Sequence, residues 1–83
     1  MSKVYVVEGE HPEVPGRFRA VHATRDGAVA VAVSMVAMIG EYADPEIQKV
    51  PTAHNWEQVM EAYQDYFGAQ YCYVEVTEHE IRL

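Results

Sequence analysis

Apolar and polar positions along the chain divide it into segments of different period. Val4 to Glu8 is β-branched and aromatic and predicts a strand. The following stretch GEHPEVPG, Gly9 to Gly16, holds two glycines and two prolines and predicts a loop. Arg17 to Ala23, RFRAVHA, alternates imperfectly and predicts a second strand, paired with the first as a hairpin with a long turn.

The next segment, GAVAVAVSMVAMIG from Gly27 to Gly40, has Ser34 as its one polar side chain. Its alanine–valine alternation imitates a strand. The run continues unbroken through Ser34–Ile39, however, which is too long for a typical strand and rich in the helix formers alanine and methionine. A helix over 28–39 is expected, with Thr24 as N-cap and Asp26 in the first turn, where negative charge suits the helix dipole. At helical spacing Ala28, Ala32, Met35 and Ile39 form a stripe, flanked by Val29, Val33 and Val36. The remaining side, Ala30, Val31, Ser34, Ala37 and Met38, is small and hardly polar. A helix apolar all round is enclosed within its own fold or buried against another chain. Enclosure requires a second helix lying across the first.

HNWEQVMEAYQDYFG, His54 to Gly68, supplies that second helix. Asn55 is the expected N-cap, Gln58 stands three residues on as in a capping box, and Gly68 is a C-terminal stop. Trp56, Val59, Met60, Tyr63 and Phe67 make its apolar stripe. The connector EYADPEIQKVPTA carries a helical-turn signal at Asp44-Pro45. From Gln70 to Leu83 the chain reads as a strand, Cys72, Val74 and Val76 alternating with Tyr73, Glu75 and Thr77. The expected architecture is a single α+β domain over residues 1–83, in the order β-β-α-α-β. Its sheet is three-stranded and mainly antiparallel, with two helices packed on one face.

Composition narrows the class. At 49% hydrophobic residues the chain is globular rather than disordered. Its single cysteine, Cys72, excludes an internal disulfide and fits a reducing cytosol, and its tyrosine neighbours make it a small core residue. The N-terminal apolar run is short and ends at Glu8, so no signal peptide is read. Ala28–Ile39 falls short of the roughly 20 apolar residues that span a bilayer. A cytoplasmic protein with no membrane partner is therefore expected.

Charge then gives direction. The net charge of −7 is uneven: residues 1–25 sum to +1 and residues 26–83 to −8. Such a chain is repelled by nucleic acid and drawn to basic protein surfaces, although acidity also serves plain solubility.

Catalytic chemistry is sparse. There is no phosphate-binding glycine loop, nucleophile elbow or zinc-type cysteine pair. The serines are Ser2 and Ser34, neither placed beside a base, so no catalytic residue and no cofactor are assigned. His11, His22, His54 and His79 form no i, i+4 pair, and His22 reads as a half-buried structural residue. EHPE and EHE set a histidine beside carboxylates, an arrangement that could hold a divalent metal only weakly and reads instead as a solvated loop and a solvated strand end; no metal site is assigned. Arg17 and Arg19 share a strand face, suited to a phosphate or carboxylate or simply to solvent. A small-molecule or catalytic role for the tyrosines and histidines is the least supported class.

The strongest candidate is an acidic surface. Glu57, Glu61 and Asp65 recur every fourth residue, rising by about 6 Å at each step along one side of the second helix. Any amphipathic helix has such an outer face. Here Glu75, Glu78 and Glu80 add to it, and together the six are the expected partner-binding residues. A rigid row of negative charge competes for a groove built to hold a phosphate backbone.

VYVVEGE, the alanine- and valine-rich helix and the closing YVEVTEHEI, with the size and charge, resemble the short acidic proteins of phages and mobile elements, among them the anti-CRISPR proteins. That resemblance rests on length, charge and element order, and carries over no functional residue. It implies a non-catalytic inhibitor occluding a basic nucleic-acid-binding surface of a CRISPR-associated effector. The alternative is a regulatory or accessory homodimer that uses the 28–39 helix as its interface.

Overall fold

The structure, a computed structural model, describes residues 2–11, 14–68, 70 and 72–81, and for residues 14–17 the backbone alone. Five elements follow in order: β1 (Ser2–His11), β2 (Val14–His22), α1 (Arg25–Gly40), α2 (Trp56–Phe67) and β3 (Tyr73–Ile81). The strands form one sheet in the order β2-β1-β3, both pairings antiparallel. Both helices pack on a single face of it. Val7 and Val74 from the sheet share one buried cluster with Val29, Val36, Val59 and Tyr63 from the helices. The α+β architecture expected from the sequence is the one observed.

The hairpin departs from expectation. Gly9–Gly16 is not a loop: β1 runs to His11 and β2 starts at Val14. Gly9 belongs in the strand because Met35 of α1 packs on it, and a Cβ there would collide with the Met35 methyl. Pro15 falls in β2, an edge strand, where a missing N–H need not cost a ladder bond. The register slips between Gly9 and His11, a bulge-type irregularity in the pairing.

The helix α1 begins where its cap predicts. The Thr24 hydroxyl accepts the Gly27 N–H at 3.1 Å. Ala28, Ala32, Met35 and Ile39 are buried as expected, with Val29 and Val36 beside them. Val33 is only half-buried, and Val36 takes the fully enclosed position. The expected cover over the other side of α1 is absent: Ala30, Ser34, Ala37 and Met38 are exposed. The reason lies in α2. Its stripe of Trp56, Val59, Met60 and Tyr63 needs the same sheet face, so it lies beside α1 in one layer rather than across it. Ser34 meets its own need, its hydroxyl donating to the Ala30 carbonyl at 3.3 Å.

Asn55 precedes α2 as expected, but the capping box is not formed. Its Oδ1 accepts the Thr52 N–H at 2.6 Å, tightening the connector instead of the helix. Gly68, at φ 102°, ends α2 in a conformation only glycine adopts freely, its N–H donating to the Gln64 carbonyl at 2.8 Å. The Asp44-Pro45 turn forms, closed by the Ile47 N–H on the Asp44 carbonyl at 3.0 Å. Tyr63, fully buried, ties the connector to α2. Its hydroxyl accepts the Lys49 N–H at 2.9 Å and donates to the Lys49 carbonyl at 3.2 Å.

Gly40 should report how tightly α1 and α2 meet. Glycine to alanine in a helix ordinarily gains about 1 kcal/mol. Here a Cβ would lie 2.6 Å from the Tyr63 hydroxyl and 3.0 Å from its ring, both pinned by Lys49. Overpacking of that kind costs about 1–3 kcal/mol, so Gly40→Ala lowers the melting temperature. The loss should be smaller in a Tyr63→Phe background, which calorimetry on the two single variants and the double variant checks.

Cys72 is fully buried, and burial raises its thiol pKa above the ordinary 9.0. The raised pKa means that the folded chain keeps its proton where the unfolded chain has lost it. Stability should therefore be unaffected by this group below pH 9.0 and fall as pH rises from there through the folded value. Denaturation midpoints of wild type and Cys72→Ala against pH, compared for slope, check it.

Candidate functional site

The acids expected to bind a partner are distributed over α2 and β3, and the fold brings part of the set together. Glu57 and Glu61 project from the exposed side of α2 and line one groove of about 500 Å³, whose other wall is the Val74–Val76 stretch of β3. Glu75, paired with Glu8, belongs to the opposite face of the sheet. Trp56 and Met60 contribute its apolar part, and Arg25, at the start of α1, is the cation in its lining. At the groove, the Gln64 side-chain amide donates to the Cys72 carbonyl at 3.2 Å, tying α2 to the chain entering β3.

The other three acids lie apart. Asp65 is exposed one turn beyond Glu61 and does not line the groove. Glu78 and Glu80 stand farther along β3, across from Tyr5 and Lys3 of β1. Glu78 is paired with Lys3, Nζ to Oε2 3.5 Å, in an exposed contact that offsets its field while adding little stability. Glu57, Glu61, Asp65, Glu75 and Glu80 make no ion pair among the described residues. Their charge is available to a partner.

Arg19 does not offer a free anion site. Its guanidinium lies 3.0 Å from Glu8, and Glu8 stands across from Glu75 on the next strand. This row crosses the face of the sheet that no helix covers. Val6 is on the same face, outside the core cluster. The Arg17 side chain lies outside the described residues.

A second surface is apolar. The uncovered side of α1 and the ends of β1 and β2 enclose a groove of about 430 Å³, lined by Val31, Met35 and Met38 with Gly9, His11 and Phe18. Phe18 and Met38 remain 47% and 48% exposed. The sequence reading missed His11. It reads as a solvated histidine beside carboxylates, yet it is buried, stacked on Tyr42 at 5.2 Å and edge-on to Phe67 at 4.6 Å. Those partners lie far along the chain, and the only local signal is its even spacing from Val7 and Gly9 on the inward side of β1.

Among the described residues no group of three histidines, cysteines or carboxylates is placed to hold a metal ion. Nor is any of their helices long and apolar enough to cross a membrane. Compared with protein-family models, curated proteins and solved structures, the chain has no match.

The exposed side of α1 is separable from the core. Ala30 is exposed and alanine to glutamate is a small change of helix propensity, so Ala30→Glu should stay folded within about 0.5 kcal/mol of wild type. Sedimentation of wild type and variant at micromolar concentration reads the rest. A wild-type dimer that the variant converts to a folded monomer would make this side of α1 a subunit interface.

Proposed function

We propose that the chain is a non-enzymatic binding module that presents an acidic face, α2 with β3, to a basic surface of a nucleic-acid-binding protein. It then acts as anti-CRISPR inhibitors do, in the cytoplasm, occluding the surface of a CRISPR-associated effector without contacting nucleic acid itself. The observation that carries this reading is the placement of Glu57 and Glu61 along one groove against β3, with Glu75 on the same edge strand and no ion pair to offset any of the three among the described residues. Carboxylates fixed on a helix and a strand are held apart at little entropic cost, and a cationic groove built for phosphates meets them with complementary potential. The resemblance in size, charge and element order to anti-CRISPR proteins supports the kind of partner.

A second reading, a regulatory homodimer, draws on the exposed Ala30, Ala37 and Met38 together with Phe18. That surface is apolar and contiguous with a groove, as subunit interfaces are.

The test is competition. Wild type should displace nucleic acid from a CRISPR-associated effector complex. The variant Glu57→Gln, Glu61→Gln, Glu75→Gln should remain folded and lose about tenfold in affinity at low salt, from three exposed charges each contributing modestly. The gap should close as ionic strength rises. Equal competition by wild type and variant at low salt would overturn the acidic-face reading.

A further inference from the structure

The two edges of the sheet are not alike. β2 carries Pro15 and Gly16 within it and meets β1 through a register slip, features that spoil an edge as a template. β3 has neither proline nor glycine between Tyr73 and Ile81, and it pairs with β1 in unbroken register from Ser2↔Ile81 to Glu10↔Tyr73. Its other side pairs with no strand, and no residue from Tyr73 to Ile81 makes a backbone hydrogen bond in that direction among the described residues. A regular strand of nine residues thus has alternate N–H and C=O groups on that side with no strand partner. The groove lined by Glu57 and Glu61 lies between this strand and α2.

We propose that the β3 edge is a docking site for an extended basic segment of a partner protein, which adds to the sheet as a fourth strand. This rests on the acidic-face reading and specifies how the partner is held. Backbone hydrogen bonds to β3 supply register, and alternate lysine or arginine side chains facing α2 meet Glu57 and Glu61. Charge selects the occupant. A second copy of this chain pairing through the same edge would bring two sets of Glu75, Glu78 and Glu80 to one seam, and like charges across paired strands are destabilising. A strand of opposite charge removes that penalty and gains attraction instead.

The experiment uses the full chain and a synthetic capped peptide alternating lysine and threonine, in three forms: unmodified, N-methylated at every lysine amide, and N-methylated at every threonine amide. In an extended strand successive N–H groups point to opposite sides, so one methylated form loses every donor aimed at β3 and the other loses none. The unmodified peptide should bind, and alternate β3 amides should gain protection from hydrogen exchange. One methylated form should bind about tenfold or more weakly, as expected for losing two or three net hydrogen bonds, and the other should bind within about twofold. Failure of the unmodified peptide to bind, equal affinity of the two methylated forms, or protection appearing outside β3 would each overturn strand addition. Equal affinity of the methylated forms, with loss of both in the Glu57→Gln, Glu61→Gln, Glu75→Gln variant, would remove the docking mode and leave the acidic-face function standing. Phase-dependent binding together with unchanged effector competition by that variant would keep the docking edge and remove the function.

Discussion

The contact between Met35 and Gly9 sets how closely α1 can approach the central strand, and the rest of the packing follows from that approach. With no side chain at Gly9, the middle of α1 settles onto β1, and Ala28, Ala32 and Val36 lose all contact with water. Val7 is enclosed at the same time from the sheet side. In a fold this small, where little surface can be buried, such close approach makes each apolar residue count. α2 completes the layer through Tyr63, whose ring meets Gly40 and whose hydroxyl holds Lys49 of the connector. Two glycines, on a strand and at a helix end, therefore set the spacing of the whole helical layer.

How much of this was legible in the sequence depended on whether the signal was local. The stripes of α1 and α2 repeat at the helical period, and Ala28, Ala32, Met35, Ile39, Trp56, Val59, Met60 and Tyr63 are all buried as the period requires. The alternation of Cys72, Val74 and Val76 marked the inward face of β3 equally well. The Gly9–Gly16 stretch was misread because glycine and proline are local turn signals, and here tertiary context overrides them: Met35 explains Gly9, and the sheet edge admits Pro15. The uncovered side of α1 was misread for a related reason. Apolar composition shows that a surface resists water, but only the shared demand of two helices for one sheet face decides which of them goes without cover. The acidic row on α2 was plain from spacing. The turning of Glu75 to the helix-free face beside Glu8, and the diversion of Glu78 to Lys3, depend on the β1–β3 register, which no local pattern specifies.

The division of labour between the faces is clear. One side of the sheet is spent on the core, and the other carries Arg19, Glu8 and Glu75 in a row across three strands. The free negative charge gathers where the helical layer meets the β3 edge, and the bare apolar surface gathers at the opposite flank, around Phe18 and Met38. These two surfaces differ in what they ask of a partner. The first gains from long-range attraction and weakens with salt, whereas the second gains only on contact and does not.

The pairing of β1 with β3 also governs the order of events when the chain is made. β1 and β2 are neighbours in sequence and can meet early, but Ser2 must wait for Ile81 and Val7 for Val76. Closing so long a loop is entropically unfavourable, and β1 is the strand that β2, β3 and α1 all contact. A ribosome-bound chain that has released both helices still lacks one flank of its central strand. The sheet is complete only once β3 has joined it, and until then that edge of β1 is open to whatever strand reaches it first.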